Sequence, residues 1–276
     1  MRAACVIGWP VEHSRSPLIH TYWLKRYGIV GEYRRELVPR EEFASFVRSL
    51  PERGYVGANV TVPHKEAAFA LSQPDDGARA VGAVNTLWFD GAVLRSTNSD
   101  VDGFLANLDA CVPRWERNGG SAVVLGAGGA ARGVIHGLLA RGLTQIAVAN
   151  RTAARAEAMR QTFGERVQPI RWEEVGAALS GAPLLVNTTT LGMKGQPALA
   201  IDLGRLSERS IVADLVYAPV LTPLLAAAQR RGLRTADGLG VLLHQAVRGF
   251  ALWFGKEPEV TAELRALIAD DLAAPK

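Results

Sequence analysis

The stretch "VVLGAGGAARG", residues 123–133, joins a run of β-formers to a run of small helix-formers, and its reading decides the fold. Gly126, Gly128 and Ala131 satisfy the pattern G-x-G-x-x-G/A between a strand and a helix. The first glycine of such a turn permits a tight bend, and the second lets backbone approach a pyrophosphate. The small third residue lets helix and strand pack closely, so that the helix N-terminus faces the phosphates. A merely tight strand-to-helix turn is the plain alternative; the flanking residues favour a dinucleotide site.

The next β-rich run, "QIAVAN" at 145–150, leads to the cofactor. An NAD-type site wants an acid about 20 residues beyond the glycines, to hold the ribose hydroxyls. Asn150 and Arg151 stand there instead, and the next acid, Glu157, is already inside a helical run. Arg151 could grip a 2′-phosphate as a fork, with Thr152 at the helix start and Arg155 one turn later, which points to NADP(H). Two solvated surface arginines are the alternative.

Working outward, β-rich runs alternate with amphipathic ones along the whole chain. Before the glycine turn come "ACVIG", a helix over 17–27, "YRRELV", a helix over 40–50, "GANVTV", a helical "EAAFAL", and strands around "AVNTLWF" and "AVLRS". After it come "QIAVAN", "AARAEAMRQTF", "PLLVNTT", "SIVADLVY", "PLLAAAQRRG" and two final apolar helices. This alternation predicts an α/β fold with mainly parallel sheets. The polar "VPRWERNGG", residues 112–120, reads as the best linker.

At 276 residues the chain is comfortable for two domains, and its 48% hydrophobic and 21% charged residues are ordinary globular values. A net charge of +4 with scattered arginines argues against a nucleic-acid partner and suits a small anionic ligand. Cys5 and Cys111 make neither a metal site nor a disulfide framework. The start "MRAACVIGWP" turns too soon for a signal peptide, and no apolar run approaches the ~18 residues that suggest a membrane span. A cytoplasmic location without membrane contact is expected.

Three further stretches carry candidate chemistry. "ANVTVPHK", residues 58–65, is a strand that stops at Pro63 and is followed by Lys65. In open α/β sheets, ligands sit at such carboxyl ends, so Lys65 is either a solvated first-turn residue or part of a reaction. In "EHSRSPLIH", residues 12–20, Ser16 before Pro17 reads as a helix N-cap with proline at N1. Ser14 and Ser16 also place two hydroxyls beside a helix N-terminus, an arrangement for holding a carboxylate. In "STNSDVDGF", residues 96–104, Asn98, Asp100 and Asp102 crowd a strand-to-helix junction, either as turn and capping residues or with one carboxylate paired to Lys65. The five histidines lack metal-ligand spacing and read as packing or surface residues.

Taken together, the chain resembles the shikimate dehydrogenase family. "HSRSP", "GANVTVPHK", "GAVNTL", "TNSDVDGF", "LGAGGAARG", "NRT", "NTTTLGM", "DLVYAPVLTPLL" and "DGLGVLLHQA" follow in the family's order. The resemblance implies reversible NADPH-dependent reduction of 3-dehydroshikimate to shikimate, in aromatic amino-acid biosynthesis. It implies a substrate-binding and catalytic domain over 1–103 plus 241–276, and a Rossmann-like, doubly wound NADP-binding domain over 104–240. Lys65, paired with Asp100, would be the acid–base group, with electrostatic stabilisation of the charge developing on the ketone oxygen as the alternative role. Ser14 and Ser16 would hold the substrate carboxylate, and Thr61, Asn85, Asp100 and Gln245 the ring hydroxyls. Asn59 and Tyr217 would complete the substrate site. Gly126, Ala127, Gly128, Gly129, Ala130, Asn150, Arg151, Thr152, Arg155, Thr188, Leu215 and Gly238 would hold the cofactor.

The chain departs from the family pattern in two places. Asn98-Ser99-Asp100-Val101 stands where Asn-Thr-Asp-Gly is usual, and Asp102 adds a competing acid. Val241 replaces a methionine usual near the nicotinamide. The rival readings are a paralogue acting on quinate or an aminated analogue, possibly with NAD, and a non-catalytic NADP(H)-binding regulator. The expected ligands are small molecules, and the protein is expected to be a monomer or homodimer.

Overall fold

A computed structural model describes residues 1–274, the side chain of Asn118 apart. The chain divides into two compact units, one of Met1–Gly103 with Leu243–Ile268, the other of Phe104–Leu242 with the residues from Ala269 on.

The first unit opens with β1 (Arg2–Gly8), α1 (Ser16–Arg26), β2 (Gly31–Leu37), α2 (Phe43–Arg48), β3 (Tyr55–Val60) and α3 (Lys65–Leu71). It continues with β4 (Gln73–Pro74), α4 (Asp76–Val81), β5 (Thr86–Asp90), β6 (Val93–Thr97) and the start of α5 (Ser99–Cys111). Apolar, small and β-branched residues keep β1 buried from Ala3 to Gly8, as a strand inside a parallel sheet must be. Helix α1 buries Ser16, Ile19, His20, Trp23 and Leu24, the i, i+3, i+4, i+7, i+8 stripe of an amphipathic helix.

The sheet order is β2-β1-β3-β5-β6-β4. β1 runs parallel to β2 and β3, but β5 runs antiparallel to both β3 and β6. Strand–helix alternation alone suggests mainly parallel neighbours. The exception arises because only Gly91 and Ala92 separate β5 from β6, and Gly91 at φ +61° opens a hairpin turn. Helix α4 adds to the elements expected from sequence, and its signals are local. Asp75 caps it by accepting from Ala78 N–H at 2.9 Å, and Gly82 closes it in the left-handed region.

The second unit holds the remainder of α5, then β7 (Ser121–Leu125), α6 (Gly129–Ala140), β8 (Gln145–Ala149), α7 (Ala153–Phe163) and β9 (Val167–Ile170). There follow α8 (Val175–Ala178), β10 (Leu184–Asn187), β11 (Ile211–Asp214), α9 (Pro223–Arg230) and β12 (Arg234–Ala236). Helix α10 (Gly238–Phe254) leads back into the first unit, and α11 (Ala262–Ala273) ends the described chain. Every pairing in this sheet is parallel among the described residues, in the order β12-β11-β10-β7-β8-β9. That is the doubly wound dinucleotide-binding order. Its core is aliphatic on both faces, with Val124, Ile135, Leu138 and Val148 on one side and Leu125, Leu179, Leu185 and Val212 on the other. Each such side chain contributes about 1.5–3 kcal/mol when fully buried.

Two expectations need correction. Residues 112–120 are not a free linker: Val112 and Trp115 are buried in the second core, and Trp115 donates from Nε1 to Asp109 Oδ1 at 2.8 Å. The division falls after Gly103, inside α5. Val241, expected to open the return segment, packs against the second unit's core. Strand β9 is hidden in the sequence because Pro169 interrupts it, which an edge strand tolerates. Among the described residues no helix is long and apolar enough to cross a membrane.

Candidate active site

In the first unit the strand order reverses between β1 and β3, so the chain leaves these two strands in opposite directions and opens a crevice at their carboxyl ends. Thr61 follows β3 there, its N–H donating to Ile7 O at 2.9 Å. Lys65 is the first residue of α3, after the Pro63 break. Its Nζ donates to Asp100 Oδ2 at 2.6 Å, and both side chains stay partly open to solvent. Asp100 Oδ1 accepts from Asn85 Nδ2 at 2.8 Å. Lys65, Asp100 and Asn85, far apart in sequence, are therefore one hydrogen-bonded group.

Asp102 does not compete for Lys65. It lies two residues along the same helix, and residues so spaced do not share a face. Its Oδ2 accepts from Arg248 Nη1 at 2.8 Å, while Arg248 Nη2 reaches Asp75 Oδ2 at 3.0 Å. Helical spacing is enough to predict that only one of the two acids meets the lysine. Arg248 itself carries no sequence signal.

Beneath this group the polar chain continues inward. Asn59 donates from Nδ2 to Asn85 O at 3.0 Å and to Thr86 Oγ1 at 3.1 Å, and the Tyr33 hydroxyl donates to Asn59 Oδ1 at 2.6 Å. Burial pushes the Tyr33 phenol well above its ordinary range, so it remains a neutral donor. The His20 ring stacks on Tyr33 at 4.1 Å, with Trp23, Phe250 and Trp253 around it. Burial lowers the His20 pKa from 6.5 to about 3, weakly opposed by the Asn59 amide. Neither ring nitrogen has a hydrogen-bond partner among the described residues, so a charge there would be unsupported. Of this inner chain the sequence points to Asn59; Tyr33, Thr86 and Ser99 carry no local signal.

Ser14 and Ser16 lie at the start of α1. The N-cap reading of Ser16 is corrected: the helix begins at Ser16 itself, and its cap position, Arg15, makes no side-chain cap bond. Ser14 does the local work instead, its Oγ accepting from Ser16 N–H at 3.3 Å. Arg35 fixes this turn by donating to Ser14 O at 2.7 and 3.2 Å. Gln245 lies on α10 within the first unit, where the Gly103 backbone packs against it so closely that a Cβ would stand 2.6 Å from Gln245 Cβ. Tyr217 belongs to the second unit, exposed beyond β11, and is not a member of the bonded group.

In the second unit the strand order reverses between β7 and β10, and the glycine turn lies at that point. Gly126 sits at φ +104°, and a Cβ there would come within 2.5 Å of Thr188 Oγ1. Thr188 Oγ1 in turn donates to Leu125 O at 2.7 Å. Gly128, by contrast, has an ordinary φ of −99°, and nothing lies within 4 Å of a Cβ built on it. Neither strain nor packing demands glycine there, whereas a ligand approaching the backbone would. Ala127 is buried, and Gly128, Gly129 and Ala130 are exposed around the start of α6.

The remaining cofactor candidates cluster at two loops. Asn150 donates from Nδ2 to Thr152 O at 2.9 Å, with Thr152 at the N-cap position of α7 and Arg151 and Arg155 exposed beside it. Leu215 is half-buried, its N–H donating to Asn187 O at 3.0 Å. A Cβ on Gly238 would come within 2.4 Å of Leu215 O. Asp214 anchors these loops by accepting from Thr222 Oγ1 at 2.7 Å, Asn187 Nδ2 at 2.9 Å and Val216 N–H at 3.0 Å. Burial nevertheless raises its pKa, with those donors opposing the shift. Bare backbone at a helix N-terminus, flanked by arginines and without an acid at 150–152, fits a dinucleotide carrying a 2′-phosphate.

A doubly wound sheet with a glycine turn, and a second α/β unit bearing an ammonium–carboxylate pair at a strand end, define a dinucleotide-dependent oxidoreductase. Family models match as the shikimate dehydrogenase substrate binding domain over residues 6–87, shikimate / quinate 5-dehydrogenase over 114–192, and the shikimate 5′-dehydrogenase C-terminal domain over 238–268. The chain belongs to the shikimate dehydrogenase family. It is 65% identical over 272 residues to shikimate dehydrogenase (NADP(+)) of Rhodopseudomonas palustris strain TIE-1, covering 99% of this chain and 98% of that one. It is 34% identical to the solved shikimate 5-dehydrogenase of Thermus thermophilus in complex with NADP(H) and shikimate, with a TM-score of 0.86 and 99% and 100% of the two chains covered. Quinate dehydrogenase from Corynebacterium glutamicum in complex with NAD is 30% identical, with a TM-score of 0.88 and coverage of 97% and 98%.

Proposed function

We propose that this protein is an NADP-dependent shikimate dehydrogenase, interconverting 3-dehydroshikimate and shikimate. The observation that carries the reading is the 2.6 Å contact between Lys65 and Asp100 at the carboxyl end of β3. Asp100 draws the ammonium to one place, and Asn85 occupies the other carboxylate oxygen. When bound, NADPH supplies the hydride. Negative charge then develops on the ketone oxygen, where the Lys65 ammonium stabilises it and delivers a proton. In the reverse direction the neutral amine accepts the proton from the alcohol.

Ser14 and Ser16, at the positive end of α1, hold the substrate carboxylate, and Thr61, Asn85 and Gln245 address its hydroxyls. Asn59 supports the site from below. The exposed backbone at 128–130, with Thr188, Leu215 and Gly238 beside it, takes the dinucleotide, and Arg151 and Arg155 take its 2′-phosphate. The domain roles follow: the first unit binds substrate and reacts, and the second holds the nucleotide. We read the protein as a cytoplasmic monomer or homodimer acting on small molecules, in keeping with two cysteines, Cys5 and Cys111, that form no disulfide.

The test is a two-by-two assay, following nicotinamide absorbance with shikimate or quinate and NADP⁺ or NAD⁺. The reading expects shikimate with NADP⁺ to give the highest kcat/KM. Quinate with NAD⁺ in first place makes the chain a quinate dehydrogenase, and no turnover in any arm makes it a binding protein.

A further inference from the structure

We infer that Thr86 and Ser99 are positioning residues for this reaction, their hydroxyls locking the Asn85 amide in the one orientation that donates to Asp100. The inference rests on the roles proposed above for Lys65 and Asp100. An asparagine amide is nearly symmetric in shape but not in chemistry, because Nδ2 only donates and Oδ1 only accepts. Three donors converge on Asn85 Oδ1: Ser99 N–H at 2.8 Å, Ser99 Oγ at 3.1 Å and Thr86 Oγ1 at 3.1 Å. A flipped amide would set its NH₂ against the Ser99 N–H and its oxygen against Asp100 Oδ1. Asn85, Thr86 and Ser99 are all buried, so water does not relieve such a mismatch.

The hydroxyl of Thr86 is itself directed. It accepts from Asn59 Nδ2 at 3.1 Å, and the oxygen of that amide is filled by the Tyr33 hydroxyl at 2.6 Å. The bonds therefore run one way, from Tyr33 through Asn59, Thr86 and Asn85 to Asp100, each group donating to the next. Ser99 braces the series where it turns toward the surface, touching both Thr86 Oγ1 at 3.1 Å and Asn85. Aligned donors of this kind reinforce one another, and they end on the carboxylate that holds Lys65. Without the two hydroxyls only the Ser99 N–H holds the Asn85 oxygen, and the amide fixes the second oxygen of Asp100 less firmly.

The experiment compares Ser99→Ala, Thr86→Val and the double variant with the conservative Ser99→Thr and Thr86→Ser, measuring kcat and KM for shikimate and NADP⁺. The double variant is expected to lose roughly 10- to 100-fold in kcat, the scale of a small misplacement of a reacting group. KM for NADP⁺ should stay within about twofold, and the conservative variants should recover most of the loss. The inference is overturned by a folded double variant with wild-type kcat, by conservative variants as damaged as the apolar ones, or by a loss confined to cofactor KM. If the double variant does not fold, the single variants decide by the same criteria. A wild-type protein inactive with shikimate and NADP⁺ would instead overturn the functional reading, so the two failures are distinguishable.

Discussion

The crevice at β1 and β3 and the crevice at β7 and β10 occupy equivalent places in their sheets and are furnished in opposite ways. The first offers side-chain tips already bonded to one another: Lys65 to Asp100, Asp100 to Asn85, Asn85 to Ser99. The second offers exposed backbone, with open space above Gly128 and a glycine at 126 that packing and conformation both require. The difference suits the roles proposed for each. Proton transfer needs a group held in place before the ligand arrives. A phosphate needs amide dipoles and room to reach them.

Three substitutions break or sharpen this contrast. Lys65→Ala removes the tip proposed to react and should lower kcat by about 10²- to 10⁴-fold with little change in KM. Near-normal turnover in steady-state kinetics would take Lys65 out of the mechanism.

The second acts on the floor under the first crevice. Because the folded pKa of His20 is held near 3 against an ordinary 6.5, the unfolded chain binds the extra proton between those values. Stability is then full above about pH 6.5 and falls as the pH drops toward 3, with roughly 2 kcal/mol lost by pH 5. His20→Phe, which preserves the ring stack, should remove that part of the acid sensitivity. Urea unfolding at pH 7.5 and pH 5 checks it; equal losses in variant and wild type would mean His20 is not the group responsible.

The smallest effect concerns the second crevice. Gly128→Val enters open space at the α6 N-cap and should lower the melting temperature only slightly while weakening NADP(H) roughly tenfold. Calorimetric titration with NADP⁺ measures it, and unchanged affinity would show that ligand does not approach the backbone there.

Much of this contrast is legible in the sequence. Glycine spacing, the arginine where an acid would select NAD, and a lysine behind a strand-ending proline are all local signals. The furnishing of the first crevice is not local. The Tyr33–Asn59 bond spans 26 residues and the Lys65–Asp100 contact 35, and no periodicity reports which loops converge. Trp115 misleads for a related reason: polar neighbours and a glycine pair surround a residue that the second core buries. Ser16 misleads because proline at a helix start advertises a cap, while Ser14 two residues earlier supplies the bond. Short edge strands such as β9 and β12 are paired on one side only and carry too few residues to show a period.

The double grip of Arg248 on Asp102 and Asp75 bears on the charge around the Lys65–Asp100 pair. Helical spacing turns Asp102 away from Lys65, but an unpaired carboxylate there would still add negative charge to the same turn of helix. By pairing with Asp102 and Asp75 together, the guanidinium neutralises that neighbour, and Asp100 is the carboxylate that Lys65 meets. A chain can thus keep a crowded acidic segment and still present one carboxylate to its lysine.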